Sequence, residues 1–158
     1  MNGRRVTGAV AGALLAGLGL SALMMAGEKK TGKPSELADL ERRAADRLGR
    51  DTPPADRLPD VGEQTLTQGG HLLLSAIAGA SYAAATDEEA AIISSGILFG
   101  LAFYGLAHWL AGPLLGVKEP EWRSGGRTIA MHAVNHIAFG LATAAGAAIA
   151  STSGSSRS

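Results

Sequence analysis

The sequence predicts an all-α fold: an integral membrane bundle of about four transmembrane helices joined by an amphipathic linker, in one membrane domain. Three observations carry that expectation. Charge is missing from four long stretches of the chain. Apolar residues make up 46% of the 158 residues but aromatic ones only 4%, while 22 positions are glycine. Each apolar stretch carries small residues four apart. A water-driven core leans on large aromatic side chains. A chain rich in Ala, Gly and Leu instead lets helix backbones meet closely in lipid, where van der Waals contact drives association.

The predicted helices cover about 6–27, 69–86, 90–112 and 128–150. Roughly 20 helical residues at ~1.5 Å each cross a ~30 Å hydrocarbon layer. The first has a rival interpretation, because Arg4 and Arg5 before an apolar run resemble a secretory signal. The run is longer than a usual signal core and ends Leu23-Met24-Met25-Ala26-Gly27 without a small-x-small site, which favours an uncleaved helix. The second is the shortest and calls for local thinning of the bilayer. Between these two lies a polar linker, 28–68. Pro34 and Ser35 open a helix there, with Leu37, Leu40, Ala44 and Leu48 on one face and Gly49 as its stop. Asp39–Arg43 and Asp46–Arg50 are i,i+4 pairs that support it. That helix reads equally as a membrane-surface helix or as a solvated linker. Pro53, Pro54 and Pro59 mark extended chain. Asp87, Glu88 and Glu89 make a solvated turn, with Asp87 as a cap for the third helix. Trp109 and Trp122 flank the third boundary, where indoles favour headgroups. The tail, 151–158, is Ser/Gly-rich and expected to be disordered.

Lys and Arg set the orientation. Eleven fall in the long linker and the loop before the fourth helix, against Arg4, Arg5 and Arg157 on the other side. The long loop is therefore expected in the cytoplasm. Packing faces are Gly8 and Gly12, Ser75 and Gly79, Gly96 and Gly100, and Gly140 with Ala144. They predict a compact bundle, a homo-oligomer, or docking onto a membrane protein partner beside the lipid bilayer. Net charge is zero, so no nucleic-acid footprint exists, and the absence of cysteine excludes disulfides and thiolate chemistry.

All four histidines sit in apolar segments. Alternating helix direction places His71, His108, His132 and His136 near one end of the bundle. His71, Ser75 and Tyr82 share a helical face; Tyr104 and His108 are four apart, as are His132 and His136, with Asn135 beside them. Ionisable side chains in a membrane usually face the bundle or water. Three functional interpretations follow. His108, His132 and His136 supply the nitrogens for a metal, although no H-E-x-x-H glutamate accompanies them. Histidines on two helices suit a haem. A polar stripe suits a proton or small-solute path. The plainer alternative, which the sequence favours, is interface side chains bonded to backbone or headgroups, with no cofactor and no metal.

One family resemblance follows from these residues. His71-x3-Ser75-x6-Tyr82, then Ser95-Gly96-x3-Gly100, His108-x4-Pro113-Leu-Leu-Gly116, Glu119-Pro-Glu-Trp122 and His136 together resemble the YagU-like bacterial inner membrane proteins. The resemblance covers roughly residues 69–140. It implies a multi-pass protein of the bacterial inner membrane with no assigned reaction. His132 stands where an acidic residue is expected one turn before His136, which removes a carboxylate–histidine pair. The function expected from sequence is therefore a small multi-pass protein without enzymatic activity. It would act through helix assembly or a partner, in envelope homeostasis, with ligand binding or permeation by the histidines as the alternative.

Overall fold

A computed structural model describes residues 2–155, with side chains to residue 152. Its elements are α1 (Gly3–Thr31), α2 (Glu36–Arg47), α3 (Val61–Ala85), α4 (Ile92–Tyr104), a π-helical stretch (Gly105–Ala111), α5 (Gly112–Leu114), a 3-10 turn (Glu121–Arg123) and α6 (Gly126–Ser155). Three helical runs are long and apolar enough to cross a membrane: Gly3–Thr31, Ile92–Leu114 and Gly126–Thr152. Several of their outward leucines and isoleucines, among them Leu15, Leu98, Leu114 and Ile149, are more than 60% exposed, as lipid-facing side chains are. At 25 residues α3 is long enough, but its first two turns carry Glu63, Gln64, Thr65, Thr67 and Gln68.

Several boundaries differ from the sequence expectation. α3 starts at Val61 rather than near 69, because Asp60 and Glu63 form a reciprocal capping box that extends the helix into the polar linker. α4 starts at Ile92, and Ala91 before it offers no side-chain cap. Asp87 therefore does not cap it. Its carbonyl instead accepts a hydrogen bond from Arg5. α6 runs to Ser155, through most of the tail expected to be disordered; residues 156–158 lie outside the described residues. In α2 the buried residues are Ala38 and Arg42, not the predicted leucine stripe, and Leu48 is 78% exposed. Neither expected i,i+4 pair carries α2. Arg42 bonds to Glu63 on α3 at 3.0 Å and to the Pro54 and Arg57 carbonyls, while Arg47 reaches the Gly116 carbonyl. Ser35 caps the helix, and Gly49 ends it at φ 70°, a conformation that only glycine adopts cheaply.

The helices run antiparallel along tight seams. α6 packs on both α1 and α4, and α1 also packs on α3. A Cβ at Gly8 or Gly12 would strike the backbone of Gly146 or Ala142 on α6, and one at Gly96, Gly100 or Gly140 would strike backbone across the α4–α6 seam. At Gly79 it would come within 2.8 Å of the Ala9 carbonyl oxygen on α1. These glycines hold the chain's own helices together. Where α3 faces α4 the gap is wider and rings fill it: Tyr82 meets Phe99 edge-on at 5.2 Å, and Phe99 leads through Phe103 to Phe139.

Candidate functional site at the linker end of the bundle

The antiparallel order gathers the polar side chains at one end. The loop after α5 folds back under the bundle, and its 3-10 turn inserts Glu121, which is fully buried. An isolated carboxylate there is costly unless paired and hydrogen-bonded, and Glu121 is surrounded by partners. Its Oε1 accepts from the Tyr104 hydroxyl at 2.9 Å and from His132 Nδ1 at 2.6 Å. Its Oε2 faces the Lys118 ammonium at 3.0 Å and His108 Nδ1 at 3.5 Å, without a well-directed hydrogen bond. Burial alone would raise this carboxyl; the bonds from His132, Lys118 and Tyr104 outweigh it and hold it well below the ordinary carboxylate range.

A second carboxylate arrives from the linker. Glu36, in the first turn of α2, bonds to the Lys118 ammonium and lies 2.8 Å from His132 Nε2. Burial pushes Glu36 up as well, and the contacts with His132 and Lys118 more than reverse that, to about 2. His132 thus stands between two carboxylates, one at each ring nitrogen. Only an imidazolium donates to both. Lys118 completes the set by donating to His108 Nδ1 at 2.8 Å.

The aromatic rings form the floor of this centre. His108 lies 4.6 Å from His132 and 4.9 Å from His136, centroid to centroid, and Tyr104 touches all three histidines. His136 Nδ1 donates to the His132 carbonyl at 2.8 Å. The π-helical stretch carries His108 into the group. Pro113 supplies a reason for it, since an α-helical proline lacks the N–H and clashes with the carbonyl four residues earlier, here that of Trp109. Such wider turns recur at functional sites.

The other expected members separate from this group. His71 pairs with Ser21 of α1 at 3.1 Å, and Ser75 donates to the His71 carbonyl in the same α1–α3 seam. Tyr82 lies toward the opposite end, bonded to Ser95 at 2.7 Å and lying under the Arg5 guanidinium. Asn135 is half-buried on α6 and takes no part in the hydrogen bonds of the centre. Trp109 and Trp122 approach to 6.1 Å on the exposed rim.

Sequence reasoning missed Glu36 and Lys118, and placed Glu121 only within a resemblance. One signal was available: a buried histidine pair needs a counter-charge, and Lys118 and Glu121 are three apart in a short loop between two apolar helices. The geometry also narrows the chemistry. Histidine rings in direct contact leave no slot for a porphyrin between them. Beyond His136 come the Phe103 and Phe139 rings, and Ala13, Ala78 and Phe139 fill the core there.

Fold and site together define a class: a small helical bundle with membrane-length apolar helices and a carboxylate–histidine–lysine centre at one end. No family model matches the chain, and neither a curated protein nor a solved structure does.

Proposed function

We propose that this is a non-enzymatic, four-span membrane protein that binds a small cation at the linker end of the bundle, with α2 as the cover of the site. The observation that carries the reading is the fully buried Glu121 carboxylate, joined by Glu36 around the ammonium of Lys118. Two carboxylates converging on one positive charge make a cation site. The Lys118 side chain is a tethered occupant of it. Assembly through glycine faces has less support, because the glycines singled out in the sequence are engaged inside the chain.

A fourth crossing by α3 is supported by its 25-residue length and its antiparallel packing on α1. Its polar first turns then stand in the interface beside α2. The excess of Lys and Arg in the linker supports a cytoplasmic position for that end, and the resemblance to the YagU-like proteins supports the bacterial inner membrane. The cysteine-free chain gives a direct topology test. Single cysteines at Asp56 and Glu88 should label from opposite faces of intact cells, with Asp56→Cys protected until the membrane is opened. Labelling of both from one side would remove the fourth crossing. Cation binding is tested by melting the detergent-solubilised protein against a panel of monovalent and divalent chlorides. One cation class should raise the midpoint, and Glu121→Gln should abolish the rise. A midpoint indifferent to every cation would end the reading.

A further inference from the structure

We infer that the cation is a first-row divalent transition metal of the zinc type, bound by Glu36, His108 and His132, with Glu121 orienting His132, after the Lys118 ammonium swings out. This rests on the cation-binding reading above and names the class of ion.

Donor chemistry comes first. Imidazole nitrogens combined with carboxylate oxygens suit zinc and its neighbours, whereas magnesium and calcium prefer oxygen alone. Glu36, His108 and His132 each bring one donor atom, all within 4.8 Å of one another. Donors around a tetrahedral ion sit roughly 3.3 Å apart, given metal–ligand distances of about 2.0–2.2 Å. His132 Nε2 and Glu36 Oε2 are already closer than that, at 2.8 Å. Modest side-chain rotation closes the rest.

The surroundings match what a metal-binding histidine needs. Glu121 Oε1 holds His132 Nδ1 at 2.6 Å, so the ring is oriented with Nε2 toward Glu36. A carboxylate behind a histidine is the usual outer partner that fixes such a ligand. Glu121 Oε2 is buried, without a well-directed hydrogen bond, and adds negative charge 3.5 Å from His108 Nδ1, while water completes a four-coordinate ion.

Lys118 then marks where the ion sits. Its ammonium touches Glu36 and His108, two of the three proposed ligands, and also Glu121. Its flexible stem lets it leave. The divalent charge replaces that of the departing ammonium and of the His132 Nε2 proton, which is released to solvent when that nitrogen becomes a ligand. Access is present as well: a surface groove of ≈ 170 Å³, lined by Glu36, Asp39, Leu40, Arg43 and Lys118 among others, opens onto the site.

The test uses the full chain purified in detergent and zinc chloride with a competing chromophoric chelator. Elemental analysis after gel filtration gives the stoichiometry. One equivalent of zinc should stay with the wild type. Glu36→Gln, on the half-exposed cover, should weaken binding at least ~10-fold, and His132→Ala more. Lys118→Ala removes the competitor and should tighten binding by ~10-fold or more. Circular dichroism shows whether each variant is folded, and Glu36→Gln keeps the test decisive if His132→Ala is not. Zinc bound equally by wild type, Glu36→Gln and Lys118→Ala would overturn the assignment. If magnesium or potassium raises the melting midpoint while zinc does not bind, the metal class is wrong and the cation site stands. If neither wild type nor Lys118→Ala binds any cation, both fail.

Discussion

The two ends of this bundle are held by different physics. Toward the α3–α4 turn, backbones meet through Gly8, Gly79, Gly96 and Gly146, and the core consists of Ala9, Ala83, Ala144 and Ala147 around Tyr82. At the linker end Glu121, His132, Lys118 and Glu36 hold the loop and α2 to the helices by charge. Shape complementarity fails when volume is added. A charge network fails when one partner is removed. The contrast separates an end held by shape from an end held by charge.

Substitutions at the two ends should therefore differ in kind. Glu121→Ala should be the most damaging, by about 3–5 kcal/mol, because it leaves buried cationic partners uncompensated. Glu121→Gln should cost less. SDS titration of purified protein measures both, and near-equal losses would mean that volume, not charge, matters there. At the packed seam, Gly100→Ala drives a Cβ into the His136 carbonyl and should cost about 1–3 kcal/mol. A neutral Gly100→Ala would mean that α4 and α6 are less tightly joined than their backbones suggest.

Arg5→Met comes next. The guanidinium donates to the Ala83, Thr86 and Asp87 carbonyls and the Thr86 hydroxyl at 2.6–2.8 Å, and its loss should cost about 1–3 kcal/mol. By contrast Gly70→Ala, in α3 with open space at the Cβ position, should stabilise by about 0.5–1 kcal/mol. A thermal melt separates the signs.

The smallest effect concerns pH at the α2–α3 elbow. Burial pushes the Glu63 carboxyl up, but bonds from Arg42, the Asp60 amide and Arg57 leave it below its ordinary value of 4.5. A depressed carboxylate contributes stability above its unfolded pKa and loses it as pH falls through the folded one. The elbow should therefore loosen in acid below that ordinary value. Proteolysis within Thr52–Pro59 should accelerate there, and Glu63→Gln should flatten the dependence.

Much of the fold was legible because charge-free stretches and four-residue glycine spacing are strong local patterns. The seams at Gly8, Gly12, Gly96, Gly100 and Gly140 fall where the spacing put them. Alternating helix direction also brought His108, His132 and His136 together without a coordinate. The rest depended on chain reversal. Glu121 enters from a loop, and Glu36 crosses from a helix distant in sequence, so no periodicity links them to His132. Arg42 and Arg5 read as ordinary surface cations because a sequence does not show which carbonyls await them. His71 shares a helical face with Ser75 as expected, but that face turned to α1 and its Ser21.

Arg5 has a last consequence, for the lipid around the protein. With its guanidinium saturated by carbonyls and the Thr86 hydroxyl, it is not free to grip a phosphate. Arg4 remains exposed at that end, whereas Lys29, Lys30, Arg43, Arg50 and Arg127 stand exposed toward the other. In a bilayer the two leaflets therefore meet unequal surfaces. A headgroup under the linker meets basic and acidic side chains side by side, nine of the latter between residues 28 and 63, whereas at the far turn it meets Arg4 beside Asp87, Glu88 and Glu89.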